Sequence, residues 1–120
     1  MSFESERVTY EVVVSPTAPR PLAGVAFQNH NDGFYQLVIN MFPSCRYYIR
    51  KDTEVHDRFT IYSRKIVDQL GKDRLVNPIG HGILNEDDKS YLTLYFPILN
   101  LTLYMNLYPK KRGAQYAQSA

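Results

Sequence analysis

The clearest pattern along the chain is a strict alternation of apolar and polar side chains near its C-terminus. Every second residue from Leu99 to Leu107 is apolar, whereas the residues between them are Asn, Thr and Tyr. Residues 90–96 alternate in the same way, with Leu92, Leu94 and Phe96 apolar. A period of two is typical of a strand with one buried side and one outer side. The pattern therefore predicts two paired strands that have an apolar core side and an uncharged outer side.

The first half of the chain contains four further segments typical of strands. Residues 6–14 are rich in β-branched and aromatic side chains and are followed by a loop that contains three prolines. Residues 22–29 and 34–42 flank the turn sequence His30-Asn31-Asp32-Gly33, which predicts a hairpin. After the break at Pro43, residues 45–51 resume an extended pattern.

The period changes after residue 52. The apolar residues Val55, Phe59, Tyr62, Ile66 and Leu70 follow one another at spacings of 4, 3, 4 and 4, which places one apolar stripe on a helix. We therefore predict a helix from about residue 53 to residue 70, with a glycine directly after it as its C-terminal cap. Residues 76–84 are interrupted by a proline and two glycines and predict a weak strand.

These elements predict an α+β fold: a curved antiparallel β-sheet of six to eight strands packed against one central α-helix. The apolar stripe of the helix would contact the core side of the two C-terminal strands. Residues 1–108 would form a single globular domain, because two separate cores of about 60 residues would each be marginally stable. Residues 109–120 would form a basic and then flexible C-terminal tail.

A short repeat raises the question of an internal duplication. Four residues recur at one constant offset and each copy then runs into Phe-Pro; the pairs are Gly24 and Gly80, Asn29 and Asn85, Asp32 and Asp88, and Tyr35 and Tyr91. Either a ββββα-like unit is duplicated, or two hairpins use the same turn chemistry. The predicted order of four strands, a helix and three strands is similar to the repeat order of the Whirly and PUR single-strand nucleic-acid-binding folds. That resemblance implies a nucleic-acid-binding role.

Composition adds little to this picture. Fourteen basic and twelve acidic residues give a net charge of +2, which favours no class of partner. The chain has no apolar run of about 20 residues and no signal-peptide pattern, so we expect a cytoplasmic protein that does not bind membranes. The single cysteine, Cys45, cannot form an internal disulfide, and we expect it to be buried.

The chemistry-bearing residues do not form a recognisable active site. His30, His56 and His81 have no spacing that suits a helical zinc site, and the two glycines around His81 match no phosphate-binding motif. No acid, base and nucleophile are predicted to converge. We therefore expect a non-catalytic binding protein without a metal or cofactor.

The outward strand positions predict a binding surface for single-stranded DNA or RNA. Tyrosine rings can stack on bases, and arginine and lysine can contact phosphates. The candidate residues are Arg46, Tyr48, Arg50, Tyr91, Tyr95, Tyr104, Tyr108, Lys110, Lys111 and Arg112.

Two other interpretations of this surface remain open. Strand propensity alone favours Tyr and Thr on a half-exposed sheet, without any ligand. Alternatively, the same face is a protein–protein interaction or oligomerisation surface of an adaptor, inhibitor or assembly component, with a homodimer as one form.

Overall fold

The protein is a closed barrel of eight antiparallel strands. A computed structural model describes residues 8–15, 22–28, 33–85, 87 and 90–108. The strands are β1 (Val8–Val13), β2 (Leu22–Gln28), β3 (Tyr35–Ile39), β4 (Tyr47–Lys51), β5 (Arg58–Val67), β6 (Asp73–Leu84), β7 (Tyr91–Phe96) and β8 (Leu101–Asn106). Each strand pairs with the next, and β8 closes the barrel by pairing with β1 through Met105 and Val12. Closure leaves no open sheet edge around the barrel.

The barrel is filled by side chains from seven strands, and Ile79 and Leu84 of β6 pack against them. Its core consists of Val12, Ala26, Leu37, Ile39, Ile49, Ile61, Leu92, Leu94, Phe96, Leu103 and Met105. Burying a side chain the size of Leu or Ile contributes about 1.5–3 kcal/mol, so this cluster is the main source of stability. The predicted alternation in β7 is confirmed, because Leu92, Leu94 and Phe96 are buried. It is confirmed in β8 for Leu103 and Met105, whereas Leu99 lies outside the strand and is exposed.

The predicted α+β fold is wrong, because no α-helix occurs among the described residues. Residues 53–70 hold β5 instead, and the helical content of the described chain is one 3₁₀ turn at Pro97–Leu99. The apolar stripe does not form: Val55, Ile66 and Leu70 are exposed, whereas Phe59 packs against the core. Strand periodicity competes with the helical spacing here, since Ile61 is fully buried at two residues from Phe59. Aromatic and β-branched residues favour that strand.

β5 and β6 form a hairpin that is longer than its neighbours. A bulge after Ile61 and an asparagine with positive φ, Asn77, mark the point where the hairpin leaves the barrel wall. Beyond that point, Lys65 and Leu75 are cross-strand partners and therefore share a face. The Lys65 Nζ lies 5.8 Å from the ring centroid of Phe34, which directly precedes β3. Both Leu75 and Phe34 are buried.

The turn of this hairpin explains why a glycine follows the predicted helix. Gly71 has a φ of 82°, which glycine adopts without strain. The carboxylate of Asp68 accepts hydrogen bonds from the backbone N–H groups of Leu70 and Lys72. Gly71 therefore stabilises a turn between two strands and does not cap a helix.

The repeat falls on equivalent strands of the two halves of the barrel. Gly24 lies in β2 and Tyr35 in β3, whereas Gly80 lies in β6 and Tyr91 in β7. The halves contribute four strands each, and neither ends in a helix within the described chain. The ββββα unit and the similarity to the Whirly and PUR folds are therefore not supported. Asn29, Asp32 and Asp88 lie outside the described residues.

Cys45 is exposed, and the prediction that it is buried is wrong. It lies in the connection before β4, which begins at Tyr47, and so it does not take part in the alternation of the strand. Within the described ranges, no helix has the length and apolar character needed to cross a bilayer.

Candidate binding surfaces

The outer side of β4 and β5 is rich in positive charge. These two strands carry five cationic residues and no acidic residue, and Arg46 directly precedes β4. We call the exposed cations that share this outer side the basic wall: Arg46, Arg50, Arg58 and Arg64. Lys65 directly follows Arg64 and therefore belongs to the other side of β5. Asp52 accepts a hydrogen bond from the hydroxyl of Thr60, the cross-strand partner of Arg50, so one carboxylate lies beside these four cations. The basic wall is still more positive than the net charge of +2 indicates.

Tyrosines lie between these cations. Tyr48 of β4 and Tyr62 of β5 are direct cross-strand partners, and both are half-buried. The guanidinium of Arg50 lies 5.6 Å from the ring centroid of Tyr62. This cation–π contact holds the arginine over the ring, and the opposite face of a planar guanidinium can still stack or donate hydrogen bonds.

Arg46 is held in a similar way at the other edge of the basic wall. Its Nη1 donates a hydrogen bond of 2.6 Å to the Oε1 of Gln36, a buried residue of β3. Its guanidinium also lies 5.3 Å from the ring centroid of Phe27. The Phe34 ring, 5.9 Å from that of Tyr48, completes this outer aromatic layer. The positions of at least two cations of the basic wall are thus fixed by packing before any ligand binds.

A second surface lies on β7 and β8 and has no charged residue. We call it the tyrosine face; its tyrosines are Tyr91, Tyr95 and Tyr104. The rings of Tyr91 and Tyr104 meet edge to face at 5.7 Å. Tyr95 contacts the imidazole of His81 at 5.6 Å, and its hydroxyl donates a hydrogen bond to the side-chain oxygen of Asn100. The tyrosine face is polar and aromatic, and its rings largely contact one another.

The structure divides the residues that the sequence places in one site. Arg46, Tyr48 and Arg50 belong to the basic wall and its tyrosines, whereas Tyr91, Tyr95 and Tyr104 belong to the tyrosine face. β6 lies between these two groups of strands, and the curvature of the barrel turns them in different directions. Tyr108 follows β8 and is exposed. Lys110, Lys111 and Arg112 lie outside the described residues.

Sequence reasoning missed four residues of the basic wall and its surroundings. Arg58, Tyr62, Arg64 and Lys65 lie in the segment for which the sequence predicted a helix. An available signal was the period of two in Arg58, Thr60 and Tyr62, which places an arginine, a threonine and a tyrosine on one side of a strand.

One end of the barrel contains an apolar pocket of about 300 Å³. Its lining residues come from β3, β4, β5, β6, β7 and the connections beside them: Ile39, Phe42, Tyr47, Ser63, Ile79, Phe96, Ile98 and Leu99. Ile39 and Phe96 also belong to the core, so the inner part of the pocket lies against the core. Ile98, in the 3₁₀ turn, is 83 % exposed and lies at the outer part.

Three half-buried tyrosines resist ionisation. Burial raises the pKa of Tyr10, and burial followed by the repulsion of Tyr10 raises the pKa of Tyr35. The rings of these two residues meet edge to face at 5.5 Å. Burial, and then the side chain of Cys45, which hydrogen-bonds the Tyr47 hydroxyl, raise the pKa of Tyr47. These phenols remain protonated at neutral pH and are not poised as bases.

Metal ligands are not clustered in the part of the chain that the structure describes. There, no three His, Cys, Asp or Glu side chains lie close enough to hold a metal ion. The described residues thus offer three candidate surfaces: the basic wall, the tyrosine face and the apolar pocket.

Comparison with known proteins adds no guide to function. No family model, curated protein or solved structure matches the chain.

Proposed function

We propose that the protein binds single-stranded nucleic acid, DNA or RNA, on the basic wall. The observation that carries the proposal is the group of four cations in the basic wall, which outnumber the one carboxylate, Asp52, that is hydrogen-bonded to this surface at Thr60. A phosphate backbone is attracted to such a surface, and each phosphate contact releases bound counterions, which favours binding. Carboxylates repel the phosphates.

The aromatic residues beside the cations provide the second part of the interaction. Proteins that bind single strands without sequence preference combine a positive surface with side chains on which bases stack. Tyr62 and Tyr48 lie next to one another in this surface, and the guanidinium of Arg50 covers the Tyr62 ring. A base can stack on the outer face of that guanidinium while neighbouring arginines contact the phosphates on either side.

Fluorescence anisotropy with labelled oligothymidylate and oligouridylate tests the phosphate contacts. Binding is expected to weaken as salt rises, and the slope of log K against log salt counts the contacts. Arg58→Ala and Arg64→Ala should each reduce that slope by about 0.7, the value for one contact to a single strand. Lys72→Ala is the matched control, because Lys72 is an exposed cation near the tip of the β5–β6 hairpin and outside the basic wall.

Two results would contradict this proposal. If the folded protein binds neither oligonucleotide at low salt, the proposal is wrong. If Lys72→Ala lowers the slope as much as the arginine substitutions do, the attraction is non-specific and the basic wall is not the site.

A pair of tyrosine substitutions tests which surface the bases contact. Stacking is worth about 1–3 kcal/mol per base, and Tyr62→Ala removes the ring that holds the Arg50 guanidinium in place for stacking, so this variant should bind roughly tenfold or more weakly. Tyr104→Ala removes a half-buried tyrosine of the tyrosine face and should leave the affinity unchanged. The reverse order of effects would assign the bases to the tyrosine face and contradict the location proposed here.

The tyrosine face favours a second candidate function, protein docking. It has no charged residue, and Ile83, the cross-strand partner of Thr93 in β7, is 47 % exposed next to it. Protein interfaces are enriched in tyrosine and depleted in charge at their centre. Light scattering tests self-association through this face. A dimer that Ile83→Asp converts to a monomer would support it, and a monomer at all concentrations would exclude a second copy as the partner.

A further inference from the structure

We propose that the apolar pocket at the end of the barrel binds a small, uncharged, largely apolar molecule. This site is separate from the basic wall, and its occupation does not depend on nucleic-acid binding. Its volume of about 300 Å³ lies at the lower limit of typical small-molecule sites, which occupy about 300–1,000 Å³.

The position of the pocket favours enclosure of a ligand. The barrel wall supplies Ile39, Tyr47 and Phe96, and the base of the β5–β6 hairpin supplies Ser63 and Ile79. The Tyr47 and Phe96 rings meet edge to face at 6.2 Å, which gives this side of the pocket a defined shape. A ligand would therefore be surrounded by several elements of the fold and would contact more than one flat surface.

The outer part of the pocket is formed by apolar residues that the folded chain leaves in contact with water. Ile98 is 83 % exposed and Leu99 is 52 % exposed, although both are apolar. Phe42, which lines the same pocket, is only partly buried. A ligand in the pocket would cover part of this surface. It would also displace about ten waters, since each occupies about 30 Å³ in the liquid, and release of water from apolar walls favours binding.

The lining residues also define the charge of the ligand. None of the eight carries a charge, so a carboxylate or an ammonium would lose its hydration without gaining an opposite charge. The polar side chains are Tyr47 and Ser63, and Asn77 donates a hydrogen bond to the Ser63 hydroxyl. A peptide segment would bring several backbone N–H and C=O groups, more than two hydroxyls can satisfy. An apolar molecule with at most one hydroxyl or carbonyl group fits this lining.

N-phenyl-1-naphthylamine, a neutral apolar dye that fluoresces when it leaves water, is the probe for this site. The chain contains no tryptophan, so intrinsic tryptophan emission does not interfere with the signal. We expect a saturable increase in fluorescence at one site per chain. Decanol should compete with the dye, whereas decanoate at pH 8 should compete at least about tenfold less well, because its carboxylate would be desolvated without a partner.

Matched substitutions locate the dye. Ile98→Asp and Leu99→Asp place a charge at the mouth of the pocket and should weaken dye binding by at least about fivefold. Because both side chains are exposed, the variants should fold, which circular dichroism can verify. Val55→Asp is the control, since Val55 is an exposed apolar residue in the connection between β4 and β5, remote from the lining residues.

Three results would overturn the proposal. The first is no saturable dye signal from folded protein. The second is equal competition by decanol and decanoate, or equal loss of binding in the Val55→Asp control. The third is a protein that binds no dye at any concentration and forms a dimer in light scattering, which Ile98→Asp separates into monomers. The pocket would then be an interface between two copies.

Discussion

Replacing Gly24 by alanine tests how closely the barrel strands approach one another. Gly24 is buried in β2 and pairs with Ile39 of β3. A Cβ at this position would lie 2.2 Å from the carbonyl oxygen of Val38 and 3.0 Å from the Cα of Ile39. Both atoms belong to the backbone of β3, and so no change of side-chain rotamer can relieve the contact. The substitution must displace a strand that is hydrogen-bonded to β4 on its other side.

The size of the displacement sets the expected loss of stability. Carbon and oxygen atoms in contact lie about 3.3 Å or more apart, so the strands must separate by about 1 Å. Overpacking of this kind costs about 1–3 kcal/mol, and a glycine-to-alanine change recovers about 0.4–1 kcal/mol through the unfolded state. We therefore expect a net loss of about 1–2 kcal/mol. For a domain of this size, that loss lowers Tm by about 5–10 °C.

Denaturant unfolding followed by far-ultraviolet circular dichroism measures the free energy directly. Gly33→Ala is the control, because a Cβ on this exposed glycine would meet nothing within 4 Å. The free energy of unfolding of Gly82→Ala should lie between those of the other two variants. The atom nearest to its Cβ, 3.2 Å away, belongs to the Leu94 side chain, which can move. If Gly24→Ala unfolds at the same denaturant concentration as Gly33→Ala, the close approach of β2 and β3 described here is incorrect.

Two further predictions concern the core residue Leu103 and the half-buried residue Tyr35. Leu103→Asp should destabilise the fold by several kcal/mol, because Leu103 is 2 % exposed and the substitution would bury an unpaired carboxylate. Thr102→Asp, on the outer side, should fold normally. Thermal unfolding compares the stability of the two variants. Burial raises the pKa of Tyr35 in the folded state above its unfolded value of about 10, so the folded protein retains a proton that the unfolded chain releases. The contribution of Tyr35 to stability should therefore be fully present below about pH 10 and be lost as the pH rises further. Tyr35→Phe, but not the exposed Tyr108→Phe, should reduce the loss of stability in alkaline unfolding curves.

The strands of the fold could be predicted from the sequence better than their arrangement. Alternation in residues 91–96 identified the buried side of β7, and the turn chemistry before Tyr35 identified the β2–β3 hairpin. The segment around Phe59 and Tyr62 was misassigned because an apolar spacing of 3 and 4 arises by coincidence when a strand has aromatic residues on both sides. Closure of the barrel was not predictable, since the pairing of Val12 with Met105 joins the two ends of the chain and leaves no local pattern.

From the sequence, the side chains of the candidate site could be assigned to a side of their own strand, but not placed relative to other strands. The period of two correctly placed Arg46, Tyr48 and Arg50 on one side of β4, where the structure finds cations and aromatic rings together. It could not show that Tyr104 faces another direction, because the direction depends on the curvature of a closed sheet. The pocket around Phe96 was equally hidden, since its lining residues come from five strands and two connections that only tertiary structure brings together.

The glycine pair of the repeat, Gly24 and Gly80, has a physical cause that does not require common ancestry of the two halves. A Cβ on Gly80 would lie 2.4 Å from the carbonyl oxygen of Tyr95, and a Cβ on Gly24 would lie 2.2 Å from that of Val38. In each half the second strand approaches the backbone of the third strand at a distance that only glycine permits. Barrel geometry thus demands glycine at both positions, whatever their history. The same reasoning extends the alanine test, since Gly80→Ala should lose stability to a similar degree as Gly24→Ala.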